Sequence, residues 1–162
     1  MTLSTRKPGS VVYSIDSSAL IHAWRRAYPP ENFPPFWEKL DDLIEEGRLF
    51  SSVEVLNEIK RKDDDLYKWC KERGGAFLPI DEALQDHVIE IMSKYPRLVD
   101  TATGRSGADP FVIGLARLHA PKWTVLTEEH HGKQRIPDVC DAEDILCIKL
   151  LTLIQQEGWI FK

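Results

Sequence analysis

What most constrains this chain is an alternation of two periodicities. Short apolar or β-branched runs, VVYSID (11–16), RLFSS (48–52), AFLPI (76–80) and WTVLT (123–127), read as strands. Between them lie longer segments with helical spacing. SSALIHAWRRAY is stopped by Pro29 and Pro30. PPFWEKLDDLIEEG carries Pro35 in its first turn, Phe36, Leu40, Leu43 and Ile44 as its apolar stripe, and Gly47 at its end. VEVLNEIKRK, DDDLYKWCKERGG, DEALQDHVIEIMSKY and ADPFVIGLARLHA complete the set, with breaks at Gly74, Gly75, Pro96 and Pro121. Strands that take turns with helices cannot pair as hairpins, so the order predicts an α/β fold with a mostly parallel sheet covered on both faces. Val99 to Gly107 reads as a polar loop. Ile145 to Ile154 fits either one helix or a strand followed by a short helix.

With 162 residues and no repeat or linker, one domain spanning 1–162 is expected, with residues 1–10 as a frayed tail. No run is long and apolar enough for a membrane span, and the N-terminus lacks the apolar core of a secretion signal. Cys70, Cys140 and Cys147 form no CxxC pair, which favours free thiols in a reducing, cytoplasmic setting. Zinc on His130, His131 and Cys140 matches no familiar spacing. A net charge of −5 argues against gripping long nucleic acid by charge alone. It leaves room for a nuclease with a small basic rim, or for a basic partner protein.

Acidic residues fall at places where a solvated surface does not account for all of them. Asp16 ends the first strand, where it is either the cap of the next helix or a ligand-site residue at a strand's carboxyl end. On VEVLNEIKRK, Val55, Leu56 and Ile59 define a core face, with Glu58 roughly 105° from its centre and Glu54 roughly 145°. Asp109 precedes Pro110 and reads as an N-cap pair, or as a carboxylate aimed at a metal. Glu128 or Glu129 follows WTVLT as Asp16 follows VVYSID. Several carboxylates in one cleft repel and take up protons unless a cation neutralises them, and all-oxygen ligation suits Mg²⁺ or Mn²⁺.

The order Asp16-Ser17-Ser18 after a strand, EVLNEI with Glu58, GADPFVIGLA with Asp109, then TVLTEE, resembles the PIN-domain family of metal-dependent ribonucleases, including VapC-like toxins of toxin–antitoxin pairs. The closing IPDVCDAEDILCIKLLTLIQQEGWIF is similar to a poorly characterised PIN-like branch. The resemblance spans residues 11–161 and implies a three-layer α/β/α sandwich with ILCIK as its last strand. It implies an Mg²⁺ or Mn²⁺ site on Asp16, Glu58 and Asp109, with Glu129, or Glu128, completing it. Ser18, in preference to Ser17, would support Asp16. It also implies an RNA substrate cut to leave a 5′-phosphate, a cognate antitoxin protein and a homodimer.

One departure stands out. The family has Thr-x-Asp where this chain has Thr127-Glu128-Glu129, and Asp138 and Asp141 are possible substitutes. Arg105, Lys133 and Arg135 are candidate phosphate contacts, while Trp24 and Trp37 read as core or partner contacts. The alternative function is a PIN-fold binding or regulatory protein with weak catalysis. An Asp-nucleophile phosphatase would need a second Asp where Ser18 stands.

Overall fold

The computed structural model describes residues 10–99 and 107–161. Five strands, β1 (Tyr13–Ile15), β2 (Leu49–Ser52), β3 (Phe77–Leu78), β4 (Thr124–Leu126) and β5 (Cys147–Ile148), form one sheet in the order β3-β2-β1-β4-β5. Every described pairing is parallel. The α-helices are α1 (Ser17–His22), α2 (Pro34–Glu45), α3 (Val53–Lys62), α4 (Asp64–Lys71), α5 (Glu82–Lys94), α6 (Asp109–Leu118), α7 (Ile136–Ala142) and α8 (Leu150–Glu157). They flank the sheet in a three-layer α/β/α sandwich, the class that the alternating periodicities imply.

The open closing stretch resolves into a strand and a helix. Only Cys147 and Ile148 of ILCIK pair with β4, and α8 starts at Leu150. The first helix also differs from a plain α-helix: after His22 it widens into a π-turn, Ala23–Ala27. Such insertions shift the side chains that follow and recur at functional sites.

The strand β1 lies in the middle of the sheet and all its residues are buried. A serine in such a strand needs an internal partner. Ser14 donates to the Val112 carbonyl on α6 at 2.8 Å, and Ser51 of β2 donates to the Ile15 carbonyl at 2.6 Å. Helix α6 packs across β1, β2 and β4 and against α5. Gly114 permits that approach, since a Cβ there would meet Leu84 Cδ1 at 3.0 Å and Val88 Cγ2 at 3.3 Å. Trp24 and Trp37 pack edge to face at 5.0 Å, and Trp37 meets Trp69 of α4 in the same way at 4.9 Å. They join the π-turn, α2 and α4 rather than offering an open stacking face.

At the amino end of β1, Tyr13 donates to Glu157 Oε2 at 2.5 Å. Arg48 makes a fork to the same carboxylate, Nη2 to Oε2 at 2.5 Å and Nη1 to Oε1 at 3.0 Å. The two charged side chains are 11% and 12% exposed. Removing one partner of a shielded pair strands the other charge, which costs more than the pair itself contributes. Arg48→Met is therefore expected to lower unfolding free energy by about 3 kcal/mol in urea titrations. Arg48→Met with Glu157→Leu should recover much of that loss, and a double variant no better than the single one would contradict the stranded-charge account.

Candidate functional site

The chain order reverses direction between β1 and β4: β2 lies on one side of β1 and β4 on the other. Parallel sheets leave a crevice at the carboxyl ends of strands that flank such a reversal. Asp16 follows β1 there and Thr127 follows β4. Asp16 is 1% exposed, and it is the cap of the next helix. Its Oδ1 caps α1 by accepting the Ala19 amide at 2.8 Å. Its Oδ2 accepts the Thr127 hydroxyl at 2.5 Å, and Ser18 Oγ lies 2.9 Å from both carboxylate oxygens.

The serines divide the work. Ser18 bonds Asp16, whereas the Ser17 hydroxyl donates to Glu58 Oε1. Glu58 is 5% exposed, so the helical-wheel placement at the border of the core face needs correcting. Val55, Glu58 and Ile59 form the buried face of α3, and Leu56 is only partly buried. The packing of α3 against α1 rotates the face toward Ser17. Asp109 is also buried, at 5% exposure, but it is the first helical residue and Ala108 is the N-cap, so the N-cap reading is corrected too.

The two glutamates after β4 go separate ways. Glu128 Oε2 accepts the Leu150 amide at the start of α8 at 2.8 Å, and its Oε1 lies 3.7 Å from His22 Nε2. Glu129 turns into the cleft. Its amide donates to Thr127 Oγ1 at 3.1 Å, and its Oε1 lies 3.7 Å from Arg135 Nε. Asp138 is committed to the turn before α7, accepting the Gly132 and Arg135 amides. Asp141 pairs with exposed His131. Neither lines the cleft.

Ser17, Ser18, Glu58, Asp109 and Glu129 line a cleft of about 370 Å³, with Asp16 just beneath Ser18. His22, Arg25, Arg26, Lys62 and Arg135 line it as well. Of the cations named from sequence, Arg135 is therefore in place, Lys133 is exposed but does not line the cleft, and Arg105 lies outside the described residues. Arg25, Arg26 and Lys62 were missed. No local signal marked them: Arg25 and Arg26 stand on a π-turn, and Lys62 reads as an ordinary helix-end lysine. A larger concavity, about 710 Å³, lies among residues leading into β2 and β3, with Asp41 and Arg73 paired in its wall. It is remote from the strand carboxyl ends and from the carboxylates considered above.

The donor set is all carboxylate and hydroxyl oxygen, which suits Mg²⁺ or Mn²⁺. Among the described residues no three His, Cys, Asp or Glu side chains converge as a ready-made metal cage. Mg²⁺ keeps several waters and binds through one or two carboxylates, so the cleft fits a hydrated ion rather than a fully protein-ligated one.

Burial pushes the Asp16 carboxyl from its ordinary 3.8 up to about 7, with the nearby Glu129 charge adding to the rise and the Thr127, Ala19 and Ser18 donors opposing it. Between about pH 4 and 7 the folded chain keeps a proton that the unfolded chain has lost, so stability falls as pH rises through that window. In metal-free buffer the melting temperature of the wild type, relative to Asp16→Asn, should decline between those pH values. Parallel melting curves for the two chains across that range would contradict a desolvated Asp16.

Among the described residues no helix is long and apolar enough to cross a membrane. No curated protein matches the chain. A family described as a domain of unknown function, DUF4411, matches residues 13–161, nearly the whole sequence. The chain belongs to the DUF4411 family.

Proposed function

We propose that this protein is a metal-dependent endoribonuclease of PIN type. The observation that carries the reading is the gathering of Asp16, Glu58, Asp109 and Glu129 at one strand-reversal crevice, beside a group of cations. These residues come from four separate parts of the chain, and motif order singles out the same four. Toxin–antitoxin pairing and homodimerisation enter through the resemblance alone.

In this reading Asp16, Glu58 and Asp109 would hold Mg²⁺ or Mn²⁺, with Glu129 facing the water that attacks the RNA phosphodiester and leaves a 5′-phosphate. The ion, when bound, supplies positive charge that lowers the pKa of water and offsets charge developing on the phosphate. Ser17 holds Glu58 and Ser18 holds Asp16, so both carboxylates keep their places without an ion. Thr127 Oγ1 accepts the Glu129 backbone amide, and the Ile136 amide donates to Glu129 Oε1 at 3.4 Å, which holds the longer side chain at the cleft.

Asp109→Asn keeps the size of the side chain and removes its charge, so Mn²⁺-dependent RNA cleavage should be lost with an unchanged circular-dichroism spectrum. Full activity, free of contaminating nuclease, would remove the proposed mechanism. Glu129→Gln should reduce cleavage most at limiting metal and partly recover as metal rises. Glu128→Gln should instead lower the melting temperature, because it weakens the start of α8. A Glu128→Gln variant that is stable yet more damaged in a metal titration would reverse these roles.

Millimolar Mn²⁺ should also raise the melting temperature of the wild type more than that of Asp109→Asn, since binding to the folded form stabilises it by mass action. The alternative, a PIN-fold binding or regulatory protein with weak catalysis, draws on Thr127-Glu128-Glu129 standing where the family has Thr-x-Asp. It is favoured by an equal shift in both chains together with no cleavage by the wild type.

A further inference from the structure

The cations of the cleft are concentrated on one wall. Arg25 and Arg26 come from the π-turn after α1, and Lys62 closes α3 beside them. Lysine at a helix C-terminus is favourable by itself, so Lys62 alone would mean little. The arginines also stand in the last turn of their own helical segment, but they come from a different element and bring like charge to the same place.

Arg25 is also held in position. Its Nη2 donates to the Lys62 carbonyl at 2.7 Å and its Nε to Asp63 Oδ2 at 2.9 Å. Asp63 uses its other oxygen to accept the Leu66 amide at 3.1 Å, capping α4. One carboxylate thus ties the start of a helix to the guanidinium. These bonds use only part of the donor fork of Arg25, while Arg26 and Lys62 are exposed. The same cleft holds Glu58, one turn before Lys62 on α3, together with Asp109 and Glu129, and these carboxylates repel any polyanion that approaches without an opposing positive surface.

Resting on the nuclease reading, we infer that Arg25, Arg26 and Lys62 form a phosphate-holding wall for the strand beside the bond to be cut, with Asp63 as the positioning residue for Arg25. The wall meets phosphates and carries no base-reading group, so it sets where the strand lies rather than which sequence is chosen. The carboxylates then face one phosphate while its neighbours rest on the cations.

The test is binding of single-stranded RNA and DNA oligonucleotides of one sequence, followed by fluorescence anisotropy in EDTA so that nothing is cut. Salt is varied from about 50 to 200 mM. Arg26→Gln and Lys62→Gln should each flatten the slope of log affinity against log salt by about 0.7, which is about fivefold in affinity near 0.1 M salt. Asp63→Asn keeps an acceptor for the Leu66 amide but loosens Arg25, so it should weaken binding and raise KM for RNA with kcat unchanged. Lys71→Gln, an exposed site on α4 outside the cleft, should leave the slope unchanged. RNA and DNA should give the same slope.

Unchanged slopes in Arg26→Gln and Lys62→Gln, an equal loss in Lys71→Gln, or no binding of either oligonucleotide by the wild type would overturn the wall. Unchanged binding and KM in Asp63→Asn would overturn its positioning role. The nuclease reading is judged separately, by Mn²⁺-dependent cleavage of RNA by the wild type. Cleavage with unaltered slopes removes the wall alone, while salt-sensitive binding lost in the variants without wild-type cleavage removes the nuclease reading alone.

Discussion

The arrangement of the carboxyl-end crevice depends on Asp16, an acid buried to 1% exposure at the end of the central strand. Burying a carboxylate without partners is costly, so it must be surrounded by donors. Here the donors come from two elements that the chain connects only after more than a hundred residues: Ser18 and the Ala19 amide from α1, and Thr127 from the end of β4. The Glu128 amide donates to Ser18 Oγ at 3.1 Å and the Glu129 amide to Thr127 Oγ1 at 3.1 Å. Satisfying one acid therefore places the whole segment after β4. A raised pKa is the remaining cost, and a bound cation is the natural way to offset it.

That placement sends two adjacent glutamates to different helices. Glu129 lines the cleft and accepts the first amide of α7, while Glu128 accepts the first amide of α8, where a carboxylate is favoured by the free N–H groups. Helix α8 is held at its other end by Glu157, through Arg48 and Tyr13 at the amino end of β1. The closing helix is thus clamped to opposite ends of the sheet, one clamp adjoining the cleft and the other remote from it. A change at Glu128 is therefore expected to act on the start of α8.

The cleft combines charges that the bulk composition hides. A chain with net charge −5 nevertheless gathers Arg25, Arg26, Lys62 and Arg135 around one concavity that also contains Glu58, Asp109 and Glu129. Opposite charges gathered in one cleft form a field suited to a ligand carrying both a cation and phosphates. Membership of a family of unknown function neither supplies nor contradicts such a ligand, so the functional reading stands on the site chemistry and on motif order.

The sequence by itself determined the elements and the class of fold, because periodicity is local: the stripe Phe36, Leu40, Leu43 and the strand VVYSID carry their own signal. It also marked Asp16, Glu58, Asp109 and the Glu128–Glu129 pair as out of place. It left Glu58 on the border of its helix and preferred Glu129 to Glu128 by motif register alone, since a helical wheel sees neither neighbouring helices nor where a chain leaves a strand. Tertiary packing decided both. Helix α1 against α3 buries Glu58 beneath Ser17, and the α8 amide draws Glu128 away from the crevice. Arg25 and Arg26 were silent for the same reason: their place depends on a π-turn and on Asp63, and those bonds join residues far apart in the chain, which no local pattern encodes.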